Sequence, residues 1–208
     1  MKDEILKDMV NSPEEFEVIR EAEARRLYLY SAIDWQGYEN NDLLYTSYCG
    51  WLIRQIMKYN REDEGLQTRK PIMLYINCPG GDVYEGFALA DAIAASQTQV
   101  YTINMGQWSS MAFMIGITGD KRFSLPHATF LLHDGDFSAR GSTHKVIDRA
   151  AYLEKYEDKV AKEHVLKYSN LTELEYDGIK LKEYYMLPEE ALAHGFIDEI
   201  ITNLDEIL

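Results

Sequence analysis

Gly106-Gln107-Trp108-Ser109-Ser110-Met111-Ala112 joins a β-compatible run, Ile103-Asn104-Met105, to the apolar, helix-compatible stretch from Met111 to Ile117. Two serines therefore stand where a strand hands over to a helix. A hydroxyl at such a junction lies at the positive end of the helix dipole, and the amide of the following residue is free to stabilise an oxyanion. Serine is also a preferred N-cap, so the junction alone leaves capping and nucleophilic catalysis both open.

Two other segments bear on that choice. Leu74-Tyr75-Ile76-Asn77-Cys78-Pro79-Gly80-Gly81-Asp82 reads as a buried strand entering a Pro-Gly-Gly turn, with Asp82 capping the helix that follows. Paired glycines let a backbone approach a ligand and aim N–H groups at it. Phe130-Leu131-Leu132-His133-Asp134-Gly135 is an apolar strand ending in a histidine. Serine, glycine turn and histidine then all project from strand ends, as when a hydrolase assembles nucleophile, oxyanion hole and base from separate loops.

Taken in order, Tyr75 to Gly81, Gly106 to Met111, Lys121-Arg122-Phe123-Ser124-Leu125-Pro126 and Leu132-His133 resemble the signature blocks of ClpP, the proteolytic subunit of Clp protease. Each block alone is weakly specific; the ordered set, spanning Leu27 to Ile201, is strongly so. The resemblance implies that Ser110, the serine directly before the methionine, is the nucleophile and His133 the base. It implies an oxyanion hole made by the amides of Gly81 and Met111, with Gly80 and Gly135 beside the bound peptide.

The third catalytic member departs from the family pattern. The usual aspartate lies shortly before a Met-Ser-Ala-Glu-Glu-Ala-like segment, and here Glu183 precedes Met186-Leu187-Pro188-Glu189-Glu190-Ala191. A glutamate can accept the imidazole N–H, but its extra methylene demands a different backbone distance. Asp177 and Asp134 remain alternatives for that role. Cys78 stands where serine is usual, and Ala112 falls at a small-residue position.

The chain has 208 residues, 46% of them hydrophobic, enough for one buried core, and no Pro-, Gly- or Ser-rich linker divides it. Lys and Arg total 21 against 35 Asp and Glu, and a net charge of -14 disfavours nucleic acid or an anionic membrane as partner. Cys49 and Cys78 have neither metal-ligand spacing with histidine nor the density of a disulfide scaffold, so neither a metal nor a cofactor is expected. Met1 to Asp8 alternates charge instead of forming a secretory apolar core, and no run of about 18 apolar residues occurs. A cytoplasmic protein is expected.

The pattern predicts an N-terminal helix from Ser12-Pro13 to about Arg26, a strand over Leu27–Ala32 and a helix over Asp42–Lys58. Strands at 72–76 and 100–105, helices at 83–95 and 110–117, and strands at 130–132 and 136–139 follow. The order is α/β and agrees with the ββα spiral that the resemblance implies, a fold shared by ClpP and the crotonases. Residues 1–26 do not match the family's axial segment, giving a divergent N-terminal helical segment over 1–26 and a single protease domain over 27–208.

From Thr143 to Tyr168 the chain becomes charge-rich, with Val146, Ile147, Ala150, Leu153, Tyr156, Val160 and His164 near helical spacing. The resemblance makes this the protruding handle helix that interdigitates between two stacked, heptameric rings. It also implies a chamber into which a Clp-type ATPase delivers unfolded protein while short peptides diffuse in. Leu171 to Glu175 restarts a helix with a capping box, and Pro188 to His194 is another before a strand over Phe196–Ile201.

His127, His144, His164 and His194 read as structural or solvated, and Pro79-Gly80-Gly81 lacks the Lys-Ser/Thr of a phosphate loop. The alternatives are a stand-alone, phage-type maturation protease, a catalytically silent ring subunit, and a crotonase-like acyl-CoA enzyme that would not need Ser110 and His133. A Ser-Lys peptidase of the signal-peptide-peptidase kind is disfavoured by His133 and the missing membrane segment.

Overall fold

The structure, a computed structural model, describes residues 13–34 and 47–207. Ser12 and the helix start expected at Asp42 lie outside the described residues. Helix α1 (Pro13–Glu23) leads into strand β1 (Arg26–Leu29), then α2 (Tyr48–Glu62), β2 (Ile72–Cys78), α3 (Val83–Ala94), β3 (Val100–Ser109) and α4 (Met111–Gly116). Strands β4 (Lys121–Ser124) and β5 (Thr129–Leu132) precede a long helical arm, α5 (Thr143–Tyr156), a π turn (Glu157–Ala161) and α6 (Lys162–Lys167). Helix α7 (Glu173–Ile179), β6 (Tyr184–Met186), α8 (Pro188–Ala193) and β7 (Glu199–Ile200) complete the order, before a short 3₁₀ turn at Leu204–Glu206.

Among the described residues seven strands form one mixed sheet in the order β1-β2-β3-β4-β7, with β5 joined to β3 and β6 to β5. All pairs are parallel except β5 with β6. Because side chains alternate across a strand, Ile72, Leu74 and Ile76 enter the larger core beneath the helices, while Met73 and Tyr75 face a smaller one with Ile103, Phe123 and Ile201. Helix α2 presents Cys49, Leu52, Ile56 and Tyr59 to the larger core at spacings of three and four, and its start is capped by Ser47, whose hydroxyl accepts the Gly50 amide at 3.0 Å. Arg25, at φ 65°, turns α1 into β1 and makes a two-armed ion pair with the buried Asp63, whose carboxyl it holds below the usual range.

Strand β3 changes partners along its length. Residues 101–104 pair with β4, whereas Gln107–Ser109 pair with β5. The Asn104 side chain spans the change, donating to the Thr129 carbonyl at 3.0 Å and accepting the Gly106 amide at 3.1 Å. The strand is thereby longer than the Val100–Met105 expectation, because it acquires a second neighbour beyond the first.

Two sequence expectations give way to the structure. Residues 136–139 form no strand and have no ladder partner among the described residues, since Gly135 at φ 78° turns the chain as it leaves β5. The arm from Thr143 to Lys167 is interrupted by its π turn, near which Lys180 Nζ donates to Asp158 at 2.7 Å. No residue of α5 is buried, although Val165 of α6 is.

Candidate active site

Register brings three strand ends together. In the parallel pairing of β2 and β3, Cys78 lies beside Trp108, so the glycine turn after Cys78 runs beside Ser110. In the pairing of β3 and β5, Ser109 lies beside Leu131, and the Ser110 amide donates to the Leu131 carbonyl at 2.9 Å. His133 leaves the end of β5 at that same edge. On its other side β5 pairs antiparallel with β6, Leu132 opposite Tyr184, and one step further along this register sets His133 opposite Glu183.

Ser110 has φ 55° and ψ -124°, and its side chain makes no cap hydrogen bond to the helix it precedes. A positive φ is uncommon for a residue with a Cβ and costs on the order of 1–3 kcal/mol, so the surrounding structure has to enforce it. Here it is enforced by the β5 contact on the Ser110 amide and by helix α4, whose Phe113 amide donates to the Ser110 carbonyl at 3.0 Å. An ordinary N-cap serine accepts an amide of its helix with its hydroxyl; Ser110 instead lines a cavity of about 250 Å³.

Met111, Gly135 and His133 line the same cavity, together with the apolar side chains of Val83, Phe87 and Met114. The His133 ring is largely covered, with 15% of its side chain exposed, whereas Glu183 is 59% exposed. His133 Nδ1 donates to Glu183 Oε1 at 3.1 Å, and Glu183 Oε2 accepts the Tyr185 hydroxyl at 2.8 Å. The opposite ring nitrogen, Nε2, is buried without a hydrogen-bond partner among the described residues. Ser110 and His133 thus share a cavity without a hydrogen bond between them.

The glycine turn carries two positive-φ residues, Gly80 at 95° and Gly81 at 142°. A methyl on Gly80 would stand 2.6 Å from the Ser109 carbonyl oxygen, 2.7 Å from Ser110 Cβ and 3.0 Å from the Met111 amide nitrogen. On the other side the turn is held by Ile33, whose amide donates to Gly80 O at 2.8 Å and whose carbonyl accepts the Asp82 amide at 2.8 Å. These bonds bypass the Gly81 N–H. Neither it nor the Met111 N–H donates to a backbone acceptor among the described residues. The arrangement therefore offers two unspent backbone donors beside a strained serine.

Neither rival carboxylate bonds the His133 ring. Asp177 accepts from Lys162 at 3.3 Å and pairs with Lys180, and Asp134 lines the cavity without bonding the His133 ring. Tyr185 was not singled out from sequence. Its signal was the two-residue spacing from Glu183, which sets both on one face of a strand, but β6 is three residues long and too short to announce itself by alternation. Phe87, Met114 and Val83 were equally hidden, because apolar helix positions look alike until a cavity opens beside them. Among the described residues, no group of three or more His, Cys, Asp or Glu side chains could hold a metal ion, and no helix is long and apolar enough to cross a membrane.

A mixed α/β sheet with a strained serine, a histidine bearing a carboxylate and free turn amides at one edge has the parts of a serine hydrolase site. Comparison with known proteins gives the family. The Clp protease family model matches residues 52–204. The ATP-dependent Clp protease proteolytic subunit of Deinococcus radiodurans is 34% identical over 137 residues, covering 65% of this chain and 67% of the relative. Those of Streptococcus gordonii and Streptococcus suis are 33% and 34% identical over 165 residues, each covering 73% of this chain and 77% of the relative. The chain belongs to the Clp protease family, and that membership supports a proteolytic, hydrolase function.

Proposed function

We propose that the chain is a serine endopeptidase in which Ser110 is the nucleophile, His133 the general base and Glu183 the orienting carboxylate. The observation that carries this reading is the positive φ of Ser110, a strained residue between a strand and a helix whose side chain opens on the cavity that His133 also lines. With Nδ1–H bound to Glu183, His133 holds Nε2 as the acceptor. Nε2 removes the Ser110 proton as Oγ bonds to the peptide carbonyl carbon, and Glu183 stabilises the imidazolium formed. The amides of Gly81 and Met111 receive the oxyanion. His133 then protonates the departing amine, and water, deprotonated by the same nitrogen, releases the acyl group and restores Ser110. Gly80 and Gly135 border the peptide path.

The same reading extends to the whole particle. The ClpP/crotonase-type ββα spiral would carry α5 as a protruding handle, and the unburied α5, with Ile147 and Tyr152 exposed, supports its burial against further copies in stacked, heptameric rings. A Clp-type ATPase would feed unfolded protein to the enclosed sites, in keeping with the similarity to proteolytic subunits of ATP-dependent Clp proteases. Two free, buried cysteines suit a reducing cytoplasm, and residues 27–208 would form the protease domain behind a divergent N-terminal segment.

A second reading, a catalytically silent ring subunit, is favoured by one specific observation: His133 Nε2 has no hydrogen-bond partner among the described residues, the Ser110 hydroxyl included. Catalytic hydrogen bonds are often long in the unliganded state and tighten with substrate, which is why the active reading is preferred. Fluorophosphonate labelling of the assembled protein, followed by peptide mapping, separates the two. Labelling at Ser110 supports the peptidase; no labelling in an assembled sample supports the silent subunit.

A further inference from the structure

Glu183 occupies an awkward position for an orienting carboxylate. It is 59% exposed, it precedes β6 instead of lying within it, and its side chain has one more rotatable bond than aspartate. Exposed glutamates lose considerable rotamer freedom when held in one geometry, and one hydrogen bond to a largely covered imidazole leaves the far oxygen free to swing. That oxygen is held: Tyr185 Oη donates to Glu183 Oε2 at 2.8 Å while Oε1 receives His133 Nδ1–H at 3.1 Å.

Continuing the β6 register one residue back, to Glu183, supplies the reason the two meet. Glu183 and Tyr185 are two residues apart, and the antiparallel register with β5 sets Tyr185 opposite Leu131 and Tyr184 opposite Leu132. Side chains two apart along a strand lie on one face. The Tyr185 ring is itself 63% exposed, so packing alone does not account for a large aromatic residue there. The hydrogen bond to Glu183 raises the Tyr185 phenol above its ordinary pKa, in the direction that favours the donating form.

We propose that Tyr185 is a positioning residue for the reaction, clamping the Glu183 carboxylate so that it meets the His133 ring despite the longer side chain. The proposal rests on the reading of Glu183 as the orienting carboxylate. Tyr185 is not among the residues that line the cavity of Ser110 and His133; it acts only through Glu183.

The test is a double-mutant cycle on the assembled enzyme, with kcat and KM measured on a short fluorogenic peptide for Tyr185→Phe, Glu183→Gln and the pair. Loss of one hydrogen bond at an exposed site predicts that Tyr185→Phe lowers kcat about 5-fold with KM changed by less than about 2-fold. In the Glu183→Gln background the same substitution has almost no further effect, a non-additivity that a purely structural role for the tyrosine would not produce. Unchanged kcat in Tyr185→Phe, with Glu183→Gln strongly impaired, overturns the clamp and leaves the catalytic reading standing. Equal losses from Tyr185→Phe in both backgrounds also overturn it, because the hydroxyl would then act elsewhere. Near-normal turnover in Glu183→Gln overturns the role of Glu183 and the clamp with it.

Discussion

Gly80 packs flat against Ser110, so closely that a Cβ on the glycine would lie 2.7 Å from the serine's own Cβ. Both residues have positive φ, and the strand pairing of Cys78 with Trp108 is what brings them side by side. Gly80→Ala must therefore push Ser110 away or open the turn. Either motion separates Ser110, the proposed nucleophile, from the turn amides. We expect fluorophosphonate labelling to fall at least about 100-fold, by analogy with removal of an oxyanion donor. Gly81→Ala is expected to harm stability more directly, since its Cβ would overlap the Ile33 carbonyl and φ 142° suits only glycine. Urea unfolding should show a loss of about 1–3 kcal/mol or more. A Gly80→Ala protein that labels normally would contradict the close packing proposed for the site.

The strain at Ser110 gives opposite predictions for activity and stability. Ser110→Ala should abolish peptide hydrolysis by on the order of 10⁶ in turnover, while Ser109→Ala should retain a measurable rate. Ser110→Gly should be equally inactive but more stable than the parent, by about 1 kcal/mol, because glycine adopts φ 55° without the penalty a Cβ imposes. Thermal unfolding of the three variants under identical assembly conditions measures this. A destabilised Ser110→Gly would mean that the serine conformation carries no strain to release.

For Glu183, the expectation is that Glu183→Gln preserves fold and assembly and lowers turnover by roughly 10²–10⁴, because the amide cannot stabilise the imidazolium. Asp177→Asn should cost little turnover, its carboxylate being engaged by Lys162 and Lys180. Asp134→Asn should also cost little, since Asp134 makes no bond to the ring. Near-normal turnover in Glu183→Gln with a large loss in either aspartate variant would move the orienting role away from Glu183.

Much of this candidate site is legible in the sequence, for identifiable reasons. Ser110, His133 and the glycine turn were visible because each follows an apolar run, and apolar runs that stop abruptly mark strand ends. What sequence could not supply was neighbourhood. That β3 changes partner between Asn104 and Gln107, and so carries Ser110 to the end of β5, depends on a register set by the whole sheet. The meeting of His133 with Glu183 across β5 and β6 has the same origin. The short strands β4 and β6 lacked enough residues to show alternation, and the π turn at Glu157–Ala161 has no pattern distinct from helix. The strand expected at 136–139 shows the converse: an extended-looking run needs a neighbour, and none of the described residues provides one.

Assembly should depend on the face that α5 leaves open. Ile147 and Tyr152 are 57% and 54% exposed on a helix with no buried residue. Light scattering coupled to size exclusion is expected to show a large ring-based oligomer, and Ile147→Glu with Tyr152→Glu to shift it toward smaller species. Placing charge where apolar surface must be buried typically costs several kcal/mol per interface, which at micromolar concentration is enough to dissociate it. A stable, active monomer of the parent chain at that concentration would contradict the chamber and favour a stand-alone protease.

His164 should make the stability of this region depend on pH. Its Nε2 lies 2.9 Å from the Met114 carbonyl oxygen and 3.1 Å from Thr118 Oγ1, and its ring packs edge-on against Phe87 at 5.4 Å, so α6 is tied to the C-terminal end of α4. Thr118 Oγ1 itself donates to Met114 O, so that carbonyl accepts from both the Thr118 hydroxyl and the His164 Nε2–H. Burial is the main cause that lowers its pKa from 6.5; Lys167 lowers it further, while the Met114 carbonyl and Asp91 oppose the shift. The folded state therefore binds this proton less readily than the unfolded chain. The stabilisation is complete above the unfolded value of 6.5 and is lost as pH falls from there toward the depressed folded value. Urea unfolding of the parent and of His164→Leu, compared from pH 7.5 to 5, isolates this group because the other titrations cancel in the difference. The parent should lose stability relative to the variant by up to about 1.4 kcal/mol per pH unit within that window. Parallel pH profiles would show that folding leaves the proton affinity of His164 unchanged, and so that the Met114 carbonyl and Asp91 fully offset the effect of burial.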